Sequence, residues 1–252
     1  METSDERKTS IQMAREPKGN GPVIGIATGS LEGARPYDDI VRRSGGVARP
    51  ILPDRDRVPE ALRELGGLIV AEGAYCGPAY EARPGGLDQP NEEYLSAGGP
   101  SVALLEAALA DDMPLLAVSG GMHALNVTVG GGPPVDAIGH APDCQNWEKV
   151  SAYHRVYIAP GTKLAAVVGS GGFVRVNSRH RQGIKEAQKS PRLLASAYSL
   201  EDGIIEALES PEHRWVIGVQ FRPELRGELP PHFDRLFQSL AERAGEFEDR
   251  SP

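Results

Sequence analysis

An α/β fold, with a doubly wound, mostly parallel sheet and flanking helices, is predicted by three observations. Short apolar runs ending in glycine or serine alternate with helical stretches through the first half of the chain. From about Val150 the pattern changes to runs rich in Val, Tyr and Ala separated by turns, which suits a small antiparallel side sheet. An amphipathic helix then closes the chain.

In order, residues 23–28 form an apolar run suited to a buried parallel strand. Residues 37–43 have helical apolar spacing and stop at Ser44-Gly45-Gly46. A strand at 48–52 ends at Pro53, a short helix follows over 58–65, and a third strand at 67–71 leads into Glu72-Gly73. An Ala- and Leu-rich helix is expected over 100–110 and a strand over 115–118. The following helix, 122–129, is ended by Gly130-Gly131-Gly132. In the second half, strands are expected at 150–158, 173–177, 193–198, 203–208 and 215–221, and the closing helix at 231–244.

The chain has 252 residues, 40% hydrophobic and 25% charged, enough for one α/β domain with a sizeable core. Residues 1–20 are polar and charged and read as a disordered leader, not a signal peptide. The domain is expected over 21–245 and a frayed tail over 246–252. A net charge of -8 argues against a nucleic-acid groove or an anionic membrane surface as partner. No apolar run approaches the length of a bilayer span. Cys76 and Cys144 provide neither a disulfide framework nor metal-ligand spacing, so a cytoplasmic protein with no cofactor and no metal is expected. The Gly- and Pro-rich stretch 75–99 reads either as a functional lid or as a plain insertion.

The segment Leu115-Leu116-Ala117-Val118-Ser119-Gly120-Gly121-Met122-His123 carries the clearest chemical signal. A buried strand delivers one polar residue into a turn made of glycines, followed by a helix, which is the layout of a nucleophile elbow. The helix N-terminus offers free N–H groups to an oxyanion. A plain strand–helix turn that happens to contain serine is the alternative.

Taken with the elbow, other segments carry a resemblance. They are Pro22-Val23-Ile24-Gly25-Ile26, Gly130-Gly131, residues 154–164, Asn177-Ser178-Arg179-His180-Arg181-Gln182, Asp202-Gly203-Ile204-Ile205-Glu206-Ala207 and Gly218-Val219-Gln220-Phe221-Arg222-Pro223-Glu224. In this order they resemble the γ-glutamyl-γ-aminobutyrate hydrolase branch of the class I glutamine amidotransferase family, from about Pro22 to Ala244. The resemblance implies a flavodoxin-like α/β fold and a Cys–His–Glu triad, whose positions fall on Ser119, Arg222 and Glu224. Only the glutamate is kept. It also implies an oxyanion hole near Gly73 and Gly120, a Gly-Gly-Asp turn that reads Glu72-Gly73-Ala74 here, and an Asn-Ser-x-His-His-Gln stretch in which Arg181 replaces the second histidine and Gln182 remains.

These departures change the chemistry. A serine hydroxyl needs a base within hydrogen-bond reach to become a nucleophile. Arg222 cannot be that base, because a guanidinium stays protonated. His180 is a candidate base or a ligand-shaping residue. His123 reads as a polar residue of the elbow helix or as a base, His154 as structural, and Cys76 as an inert rim residue or a catalytic one. Arg222 and Glu224 could form an ion pair that fills the vacated site, or present a guanidinium to a ligand carboxylate. Glu72 would add an acid at the opposite rim. Three functions stay open. One is an enzyme repurposed for a small amino-acid-derived or γ-glutamyl-type amide or carboxylate. Another is a non-catalytic pseudo-hydrolase binding a ligand or a protein. The third is a residual serine γ-glutamyl amide hydrolase. A homodimer is a compatible assembly.

Overall fold

The computed structural model describes residues 21–52, 57–71, 100–143 and 149–250. The leader 1–20, the stretch 75–99, and Glu72, Gly73, Cys76 and Cys144 lie outside the described residues.

Chain order gives β1 (Val23–Ala27), α1 (Leu31–Arg43), β2 (Val47–Ile51), α2 (Val58–Leu62), β3 (Gly67–Val70), α3 (Pro100–Ala110), β4 (Leu115–Val118) and α4 (Gly120–Thr128). The second half adds β5 (Val135–Asp136), β6 (Ala152–Ile158), α5 (Lys163–Val168), β7 (Gly172–Ser178), β8 (Gln182–Gly183), β9 (Leu194–Ser199), β10 (Ile205–Glu209), β11 (Val216–Val219) and α6 (Arg235–Glu248). A 3-10 turn, Pro231–Asp234, leads into α6.

One nine-stranded sheet runs in the order β2-β1-β3-β4-β11-β10-β9-β6-β7. The pairs from β2 to β11 are parallel, and those from β11 to β7 are antiparallel. The second-half strands therefore extend the main sheet. The separate antiparallel sheet is the two-stranded pair β5–β8.

Alternation along the strands splits the core into two layers. On one face Ile24, Ile26, Leu116, Val118, Ile217 and Val219 pack against α1, α5 and α6. On the other, Leu68, Val70, Leu115, Ala117 and Val216 pack against α2, α3 and α4. Helices on both faces make the sheet doubly wound, as the alternation predicts.

Several boundaries differ from expectation, and α5 and the β5–β8 pair lie where no element was expected. Helix α1 begins six residues before Tyr37, at Leu31, and carries Pro36 inside it. Ser30 caps it by accepting a hydrogen bond from Gly33 N at 3.1 Å. The tail expected to fray from residue 246 is helical to Glu248. Glu248 Oε1 accepts from Val23 N at 2.8 Å, so the end of α6 is tied to the start of β1. Among the described residues, no helix is long and apolar enough to cross a membrane.

Candidate functional site

The parallel strands β3, β4 and β11 end side by side: Val219 is in register with Val118, and Val70, the last residue of β3, with Ala117. Ligands of open α/β sheets bind outside such carboxyl ends. Ser119 is the first residue beyond β4. Its N–H donates to Val219 O at 2.8 Å and its carbonyl accepts from Met122 N at 2.9 Å, which turns the strand directly into α4. Its backbone lies at φ 53° and ψ -114°, in a region that side chains rarely adopt, and the residue is 2% exposed. A serine held there by its surroundings has the strained geometry of an elbow. Gly121 is required by packing: a Cβ there would lie 2.0 Å from Val70 O.

Helix α4 is anchored through Asn126. Its Nδ2 donates to Gly132 O at 3.0 Å and Gln188 O at 2.9 Å, and its Oδ1 accepts from Ser190 N at 2.8 Å. The fully buried amide thus ties the elbow helix to the glycine turn and to the segment after β8.

Arg222 and Glu224 form a direct ion pair through Arg222 Nε and Glu224 Oε1. Glu224 is buried, with Oε2 lacking a hydrogen bond, and the arginine side chain is 18% exposed. Asn177 fixes the backbone of Arg222 from both sides: its Oδ1 accepts from Arg222 N at 2.9 Å and its Nδ2 donates to Arg222 O at 3.0 Å.

His123, His140 and His180 each make hydrogen bonds, whereas His154 makes none. His123 Nε2 lies 2.7 Å from Gln220 Oε1. Burial, partly offset by that hydrogen bond, pushes His123 down to about 4, so the ring is neutral at physiological pH. Gln220 N in turn donates to Glu206 O at 2.9 Å, which joins β11 to the next strand. His180 Nδ1 faces Gln182 O at 2.8 Å and its Nε2 faces His140 Nδ1 at 3.1 Å. His154 Nε2 stands 3.3 Å from Glu206 Oε1. His180 and His154, read separately from the sequence, therefore meet around Glu206. Burial raises the Glu206 carboxyl, but His140, His180 and His154 outweigh it and hold the group at about 2. Burial lowers His154, while His140 rises because Glu206 and Asp202 overcome its desolvation.

Sequence reasoning did not single out His140 or Glu206 as site residues. His140 lies in an aperiodic turn, and Glu206 sits in a β10 pattern that reads as plain strand; only their meeting in space marks them. Gln182 contributes its backbone carbonyl to this cluster and pairs with Asp136 across β5–β8.

The doubly wound sheet and the elbow at the end of β4 define a protein of the class I glutamine amidotransferase type. The chain belongs to the Peptidase C26 family, whose profile it matches over residues 12–224. It is 33% identical over 230 residues to a γ-glutamyl-γ-aminobutyrate hydrolase of Escherichia coli O157:H7, covering 81% of this chain and 86% of that protein. The Escherichia coli K12 protein of the same name is 29% identical over 228 residues, with the same coverage. Among solved structures, the glutaminase domain of Trypanosoma brucei CTPS with bound acivicin superposes with a TM-score of 0.60. It is 16% identical and covers 89% of this chain and 94% of that one, a likeness of fold.

Proposed function

We propose that this chain is a repurposed amidotransferase-type protein. It takes a small amino-acid-derived or γ-glutamyl-type amide or carboxylate and acts on it without cysteine chemistry and without ordinary glutaminase activity. The observation that carries this reading is the elbow geometry at Ser119, taken with the Arg222–Glu224 ion pair at positions where the resemblance expects a histidine and a glutamate. Ser119 has the strained backbone of an elbow and directly precedes α4. The position that would supply its base is held by Arg222, paired with Glu224. A serine without a base is a poor nucleophile, whereas a helix N-terminus and a guanidinium each favour an anion. His123 and His180 are committed to Gln220 and to the Glu206 cluster, which weighs against the serine hydrolase. The γ-glutamyl class follows the names of the relatives.

The closed Arg222–Glu224 pair favours one second reading, a pseudo-hydrolase in which the pair plugs the site. One experiment addresses both readings. The protein is incubated with glutamine and with γ-glutamyl-γ-aminobutyrate while ammonia, glutamate and γ-aminobutyrate are measured, and both compounds are titrated by calorimetry. We expect binding without turnover. We also expect Arg222→Ala to weaken binding about thirtyfold, the equivalent of about 2 kcal/mol for a charge-assisted contact, and Arg222→Lys to weaken it less. Turnover at ordinary enzyme rates overturns the proposal. Equal affinity of all three proteins selects the plugged site.

A further inference from the structure

The groups around Glu206 have a polarity that their own hydrogen bonds do not satisfy. His140 Nε2 lies 3.1 Å from the Asp202 carboxylate, an acceptor, so that nitrogen carries the ring's proton. His180 Nδ1 lies 2.8 Å from a carbonyl oxygen, that of Gln182, so it too is the protonated nitrogen. The other nitrogens, His140 Nδ1 and His180 Nε2, are then bare lone pairs facing each other at 3.1 Å. Glu206 Oε1 completes a triangle, 3.3 Å from the first and 3.6 Å from the second. With these tautomers the three atoms are all acceptors, and His154 Nε2, 3.3 Å from Glu206 Oε1, makes no hydrogen bond to it. Both Glu206 oxygens lack a hydrogen bond in a fully buried side chain, and His140 and His180 are each 4% exposed.

We propose that His140 Nδ1, His180 Nε2 and Glu206 Oε1 bind a divalent first-row transition metal ion of the zinc type. Two imidazoles and a carboxylate are a ligand set for such an ion. Zinc–ligand bonds of about 2.0–2.1 Å give tetrahedral edges of about 3.3 Å, close to the three separations here. A single proton shared by the two rings would satisfy His140 and His180 and leave the carboxylate bare, whereas a cation satisfies all three. The outer partners are those of a metal-binding histidine: a carboxylate on one ring and a backbone carbonyl on the other fix the tautomers. His154, with neither ring nitrogen hydrogen-bonded, borders the fourth position.

The ligands come from the turn after β5, the β7–β8 connection and β10, so the ion would pin three separate segments together. The inference does not depend on the ligand proposed for Ser119 and Arg222. Its role is structural, as a closed, buried metal site implies.

The test uses the full chain without a histidine tag, purified without chelator from zinc-supplemented medium. Elemental analysis should find one equivalent of metal. After chelation, Co2+ titration should give the visible absorption of a tetrahedral ion with an end point at one equivalent, and it should raise the melting temperature. Glu206→Gln and His140→Gln should abolish the cobalt spectrum, with folding checked by circular dichroism. Asp202→Asn, which can keep an oxygen acceptor for Ile204 N while weakening the contact to His140, should weaken the metal about 10–100-fold and guards against a misfolded ligand variant. His232→Gln, outside the cluster, should bind as the unmodified protein does. Absence of both stoichiometric metal and a cobalt spectrum overturns the proposal. So does a cobalt spectrum that persists in both ligand variants.

Discussion

At the scale of single residues, the chemistry is set by what stands at a few positions and what each is bonded to. His123 shows this directly. The sequence alone left it open as a base or a plain helix residue; its bond to Gln220 and its burial make it neutral. The folded value near 4 lies below the ordinary histidine value of 6.5, so the unfolded chain binds the extra proton first. Its contribution to stability is present above pH 6.5 and is lost as pH falls toward 4, by roughly 3 kcal/mol in all. We expect His123→Gln, which keeps an amide donor for Gln220, to lose about that much less stability between neutral pH and pH 4 in urea unfolding. Equal loss in both proteins would place the acid sensitivity elsewhere. Glu206 titrates lower, losing its contribution between about 4.5 and about 2, and is common to both proteins. Ser119 was legible because an apolar strand running into glycines is a linear signal, whereas Arg222 and Glu224 were marked by the family resemblance. His140 and Glu206 were not legible, because their partnership joins residues far apart in the chain and exists only once the turn after β5 packs against β10.

At the scale of elements, the sequence was most legible where one period dominates. Strands β3 and β4 are short, uninterrupted apolar runs, buried on both faces, and their limits follow from composition. Helix α1 was read short because Gly33 and Pro36 look like turn residues. The Ser30 cap and the buried Ala34, Tyr37, Ile40 and Val41 outweigh that local penalty. The tail was read as frayed because its residues are charged, although Glu248 has a backbone partner in β1. The elbow is the element under tightest constraint. A methyl group at Gly121 would collide with a backbone oxygen, not with a side chain that could swing away. We therefore expect Gly121→Ala to destabilise the protein by about 2 kcal/mol or more in denaturant unfolding, whereas Gly245→Ala, with open space at its Cβ, should be neutral or slightly stabilising. A tolerated Gly121→Ala would mean that α4 can move off β3.

At the scale of the whole molecule, the two core layers meet through one continuous sheet. Strands β3, β4, β10 and β11 are buried along their whole length, while β2 and β7 are the edges. Amide exchange should be slowest in those four central strands, faster in β7, and fastest in the two-stranded β5–β8 pair, which has few buried contacts of its own. Uniform protection across all eleven strands would contradict this layering. The strand order also has a consequence for the order of synthesis. Strand β4 ends at Val118, yet the neighbour that pairs with its outer side, β11, ends at Val219. A chain emerging from the ribosome therefore carries an apolar strand with one open hydrogen-bonding edge until almost all of the protein has been made. The helix that covers its layer, α6, follows later still. Closure of the sheet is a late, long-range event, so it is slow, and any product truncated before β11 exposes a flat, sticky strand to aggregation or to a chaperone.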